Sequence, residues 1–224
     1  MTRKKHSVIF IGNTPEYDNP NIGWQKTKFL KKYFSVSPRE LPRRVFNSFV
    51  PPFISSGKTY RVHVDFVGPC LALLILNGLL SLGHSYKSPS ASVDTAPFKV
   101  LLLYSIFTPV ISYFLAHLCE SAIKFSELVA LFGYGLYGHI FTLILPLLLS
   151  DESSNVIFAM CLVAFSGMST LRIALVFLTS IPKPIFRLLL CSVVAINQIL
   201  SVLFLHFLYM HRTFVYAASA LDYE

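Results

Sequence analysis

The stretch Leu128–Leu149, LVALFGYGLYGHIFTLILPLLL, runs for 22 residues without an Asp, Glu, Lys or Arg. At about 1.5 Å of rise per residue, a helix of that length covers roughly 33 Å, enough to cross a hydrocarbon core about 30 Å thick. Four further apolar blocks accompany it: Phe66–Gly83, Val100–Cys119, Val156–Leu178 and Phe186–Met210. The sequence therefore predicts an all-α, polytopic membrane protein, a bundle of five transmembrane helices at about 66–83, 100–119, 128–149, 156–178 and 186–210.

Composition agrees. The chain is 54% hydrophobic and 13% charged, where a soluble domain carries about 25% charged residues. The connections between blocks are short, so residues 63–210 are expected to form one bundle. No soluble catalytic domain fits beyond residue 62. Residues 1–62 hold twelve Lys/Arg against three acids (Glu16, Asp18, Glu40), a net of +9, and the remainder holds seven against eight. Cations beside spanning helices favour the cytosolic side, which predicts a cytosolic head. Five crossings then leave the short tail His211–Glu224 on the lumenal side. The connections are balanced (Lys124, Lys183 and Arg187 against Lys87, Lys99 and Arg212), so orientation rests on the head. Val8–Gly12 is shorter than the roughly 7–15 apolar residues of a signal peptide, and insertion is expected to use the first spanning helix.

The head carries Arg3-Lys4-Lys5, Lys26, Lys28, Lys31, Lys32 and Arg43-Arg44, interleaved with Phe29, Leu30, Tyr33 and Phe34. Beside a membrane that pattern suits an anionic leaflet, at about 1 kcal/mol per cation. Anionic lipid is the expected partner, and nucleic acid is not. Residues 1–24 read as irregular, broken by Gly12, Pro15, Pro20 and Gly23. Trp24–Phe34 reads as a short basic amphipathic helix. Ser37-Pro38-Arg39-Glu40 opens a second, Pro38–Val50, with Leu41, Val45, Phe46 and Phe49 at helical spacing. Both are expected on the membrane surface or against a partner.

Polar residues inside a membrane are functional suspects because each is costly to bury. Asp65 sits at the mouth of the first block and reads first as an N-terminal cap. His139 lies within the third block, after Gly133, Tyr134, Gly135 and Gly138; the glycines allow another helix to approach closely. A proton relay at His139 would need an acid at matching depth, and no block supplies one. Arg172 lies in the fourth block behind Ser169, some six residues from its expected cytosolic end, within snorkelling reach. Asn197 sits centrally in the fifth block as cross-helix glue. The four cysteines form no CxxC pair and read as packing residues, with Cys119 and Cys191 near enough to the cytosolic interface for acylation. No constellation for catalysis, metal or cofactor is visible. A transporter or channel remains the alternative, although Pro109 and Pro146 interrupt their blocks without the symmetry of inverted repeats.

These motifs carry a resemblance. Glu127 through His139 resembles the third-helix signature of the Yip family (YIPF in animals), the Rab-interacting Golgi membrane proteins. Asp65-Phe66-Val67-Gly68-Pro69 is similar to the acidic-x-x-Gly-Pro opening of that family's first helix. Tyr33–Pro38, Ser169–Arg172, Arg187–Cys191 and Leu205–Phe207 resemble its third animal subgroup. The resemblance covers about residues 33–211. It implies a five-helix membrane protein cycling between the cis-Golgi and endoplasmic reticulum, acting in vesicle-mediated transport and Golgi organisation. Its implied partners are Rab GTPases and other Yip-family proteins; the basic head is expected to face GTPases or anionic lipid, and the glycine-rich third helix membrane partners. Two features depart from the subgroup: the head is basic rather than acidic, and only 14 residues follow Met210.

Overall fold

Each apolar block lies on a helix long enough to cross a bilayer. In the computed structural model, residues 9–11, 34, 37, 39–49, 61–87, 96–149 and 155–210 are described. Helix α1 (Leu41–Phe49) precedes the spans. The first three spans are α2 (Val67–Lys87), α3 (Pro97–Leu118) and α4 (Phe125–Leu149). The fourth is composite: α5 (Asn155–Cys161), a π-helical turn at Leu162–Gly167, and α6 (Met168–Ser180). The fifth is α7 (Pro184–Tyr209). Pro97 and Pro184 occupy first-turn positions, where no backbone N–H is needed. The expected helix Trp24–Phe34 (Phe34 apart), most of the Gly83–Pro97 and Asp151–Asn155 connections, and the tail His211–Glu224 lie outside the described residues.

The bundle is organised around α4. Of its apolar window 72% is buried, against 22% for α3 and 28% for α7, so α4 is the central post and the others face lipid. One core, around Leu76, Leu80, Leu143, Val202 and Tyr209, joins α2, α4 and α7. A second, around Leu128, Phe132, Ile173, Phe177 and Leu190, joins α4, α6 and α7 nearer the start of α4. The exposed ion pair Lys183 Nζ–Glu120 Oε1, 2.7 Å, ties the α6–α7 connection to the α3–α4 connection. Those two connections therefore share one end of the bundle, called here the mouth.

Two readings of the head need correction. Ile9–Ile11 (β1), within a stretch read as irregular, pairs in parallel with Arg61–His63 (β2). The second amphipathic helix begins at Leu41, after a turn in which Ser37 O accepts from Glu40 N at 2.9 Å. It does not lie flat on a membrane surface. Its Val45 and Phe49 pack against the first core, and Arg44 lines a small recess with Tyr134, Ser169 and Arg172. Phe49 meets the rings of Phe141 and Phe165 edge-on at 5.2 and 6.2 Å. Tyr134 and Phe141 lie nine and sixteen residues into α4, about 13 and 24 Å of rise. Helix α1 therefore descends alongside α4 towards mid-depth, filling the groove between α4 and α6.

Glycines set how closely the post is approached. A Cβ at Gly133 would stand 2.4 Å from Pro69 Cβ on α2, whereas one at Gly78 would meet nothing within 4 Å. Gly133→Ala is expected to cost about 1–3 kcal/mol through overpacking. Gly78→Ala is expected to be neutral. Melting midpoints in mild detergent, followed by fluorescence-detected size exclusion, distinguish the pair.

Candidate functional site

The polar residues of the bundle gather in two clusters. The first surrounds Asp65, whose side chain is only 2% exposed. Its Oδ1 accepts from Gly68 N at 3.2 Å, the capping role expected from its position before α2. Tyr134 Oη donates to the same carboxylate, 3.0 Å from Oδ1 and 2.8 Å from Oδ2. Arg44 Nη1 completes the set at 2.7 Å, while its Nη2 reaches Glu40 at 2.7 Å. Burial works against the Arg44 charge, but these carboxylates hold the guanidinium above its ordinary range. Tyr137 Oη donates to Gly68 O at 3.0 Å. Gly68 is required here, since a Cβ would stand 2.5 Å from the Tyr134 ring. Thus Asp65, Gly68 and Pro69 form the seat in which Gly133, Tyr134 and Tyr137 rest.

The second cluster sits deeper, around His139, fourteen residues into α4. His139 Nδ1 lies 3.4 Å from Ser166 Oγ in the π-helical turn, and Nε2 lies 3.3 Å from Ser201 Oγ on α7. Both contacts are long. The Tyr104 ring leans on the imidazole at 6.1 Å. Ser201, Thr108 and Gln198 crowd the Tyr104 hydroxyl, yet neither that hydroxyl nor Gln198 Nε2 has a partner in good hydrogen-bond geometry among the described residues. Thr142 Oγ1 donates to Gly138 O at 2.7 Å and reaches Cys161 O, where the π turn begins, at 3.3 Å. Asn197 Nδ2 donates to Thr108 Oγ1 at 3.4 Å. The cluster joins α3, α4, the π turn and α7 through imidazole, hydroxyl and amide groups, with no acid among the described residues that form it.

The glycines expected to meet partner helices meet this chain's own. A Cβ at Gly138 would stand 2.8 Å from Ser169 Cβ and 3.1 Å from Phe165 O, and one at Gly135 3.0 Å from Ile173 Cδ1. Ser169 Oγ donates to Gly135 O at 3.3 Å. The fourth span occupies this face of α4. Arg172 also departs from expectation. Its Nη1 donates to Asn47 O at the far part of α1 instead of snorkelling to the mouth.

The opening of α2, the glycine ladder of α4 and the Ser169–Arg172 turn thus lock together as one unit. A profile of the YIPF3 C-terminal domain matches residues 38–210, from the turn before α1 to the end of α7. The chain belongs to the YIPF3 branch of the Yip family. No solved structure matches it. With five apolar helices inside the matched region, this YIPF3-type chain is a multi-pass membrane protein. The match includes α1, so in this YIPF3 domain the descending helix belongs to the same unit as the spans. Sequence reasoning found Asp65, Gly133, Tyr134, Gly135, Gly138, His139, Ser169, Arg172 and Asn197, but missed Arg44, Tyr104, Tyr137, Ser166, Gln198 and Ser201 as their partners. Helical registry offers the one signal that was available: Tyr137 follows Tyr134 by three positions, and Ser201 follows Gln198 by three.

Two outcomes follow from the clusters. Asp65→Asn leaves Arg44 with the exposed Glu40 alone and is expected to cost about 2–4 kcal/mol, the low end favoured because Arg44 keeps 16% of its side chain exposed. Limited proteolysis of residues 39–49 should then accelerate, and Arg44→Met added to Asp65→Asn should cost less than the sum of the two. His139→Leu is expected to cost only about 0.5–2 kcal/mol. A Ser166→Ala/Ser201→Ala pair should lower the melting midpoint by a similar amount.

Proposed function

We propose that the chain is a membrane protein of the Golgi and early secretory pathway that acts by holding other proteins, without catalysis. The observation that supports this reading is the match over residues 38–210, which takes in α1 and every spanning helix. In this reading the mouth faces the cytosol and residues 211–224 face the lumen. Its partners are other Yip-family proteins, with Rab GTPases and anionic lipid at the basic head. Nucleic acid is not among them. The glycine-rich face of α4 is used up internally, which directs partner contact to the lipid-facing sides of α3 and α7. There Phe107, Phe114, Leu188 and Leu200 stand exposed.

Tagged at both termini and expressed in cultured cells, the chain should reside in Golgi membranes. Its N-terminal tag should be digested by added protease and its C-terminal tag protected. Yip-family proteins should co-purify in mild detergent, and paired exposed substitutions Phe107→Ser/Phe114→Ser on α3 should reduce their recovery several-fold. A protected N-terminus, or a chain that purifies without Yip partners, would overturn the reading. Solute flux in proteoliposomes would favour a transporter instead.

A further inference from the structure

The outward face of α1 carries charges that the bundle does not neutralise. Pro42, Arg43, Phe46 and Asn47 are exposed, as is Arg39 in the turn before the helix. Arg44 points inward and takes both nearby carboxylates, Asp65 and Glu40. Among the described residues, Arg39 and Arg43 have no carboxylate partner. On a soluble protein such arginines would be solvated by water. Here α1 descends beside α4, and a cation without a counter-ion in that position is costly.

The order of residues along α1 matches the order of groups in a phospholipid. Arg39 lies nearest the mouth, Arg43 lies about 6 Å further in, and Phe46, 68% exposed, comes about one turn deeper. Cationic groups thus stand at the shallow end and an aromatic ring at the deep end. Guanidinium groups bind phosphate through paired N–H donors, and the ring below offers an apolar surface to an acyl chain. A free phosphate would use the arginines and ignore Phe46.

We propose that Arg39 and Arg43 hold the phosphate of an anionic phospholipid at the mouth of the α1 groove, with its acyl chain laid across Phe46. The proposal deepens the anionic-lipid contact suggested above and rests on the mouth lying in the cytosolic leaflet. The site differs from the distributed charge of residues 1–32, because it is built on one folded helix and the turn that opens it.

The test uses the full chain in mild detergent, with lipid retention read by native mass spectrometry. Dioleoyl phosphatidic acid, dioleoyl phosphatidylcholine and inorganic phosphate are the probes. Phosphatidic acid should be retained over phosphatidylcholine, and inorganic phosphate should not displace it. Arg39→Gln/Arg43→Gln, at two exposed positions, should weaken retention about twenty-five-fold, at roughly five-fold per arginine, with the melting midpoint unchanged. Phe46→Ala should weaken the dioleoyl lipid and leave a short-chain phosphatidic acid unaffected. Equal retention by the double variant, displacement by inorganic phosphate, or no preference over phosphatidylcholine would each overturn the lipid site. Capture of Yip partners in the same preparations separates the two readings: a variant that loses lipid and keeps partners supports this site, and a wild-type chain that shows no lipid preference yet keeps partners overturns this site alone.

Discussion

One carboxylate connects the parts of this molecule. Asp65 caps α2 through Gly68 N, receives the Tyr134 hydroxyl from α4, and holds Arg44 of α1. A charge this enclosed is tolerable only when its lone pairs are filled, and here three elements fill them. Each bond also fixes a register. Tyr134 sets how deep α2 begins along α4, and Arg44 sets where α1 enters the groove. Pro69 against Gly133 and Tyr137 on Gly68 O then follow from that alignment.

The opposite face of α4 is set by shape. Gly135 and Gly138 let Ser169 and Ile173 press against the helix backbone, and the π-helical turn brings Phe165 O within reach of the same surface. Lipid supplies little hydrophobic drive between helices, so close backbone approach and short polar side chains carry association. The His139 cluster adds long polar contacts across four segments at mid-depth. Those contacts brace the segments against one another.

The spans were legible because the requirement is local: each block must be apolar and about twenty residues long, and neither condition depends on the others. Close approach at Gly133, Gly135 and Gly138 was legible for the same reason. What lies on the other side of that approach was not, since a missing side chain looks the same whether the neighbour is another protein or this chain's own α6. Helix α1 presented a similar ambiguity. Its spacing of Leu41, Val45 and Phe49 defines an apolar face, but a membrane surface and a groove between two helices ask for the same face. The Asp65–Tyr134 bond joins residues 69 apart, which no local pattern encodes.

Helix α1 ends at Phe49, beside rings that lie near the middle of the bundle. The last carbonyls of any helix lack partners within it, and water that would serve them at a surface is scarce at that depth. The guanidinium of Arg172 donates to one of them, Asn47 O, and brings positive charge to the negative end of the helix dipole. An arginine placed in the middle of one helix thus serves as the terminus of another. In that sense the fourth span finishes the fold of a segment that lies 125 residues earlier in the chain.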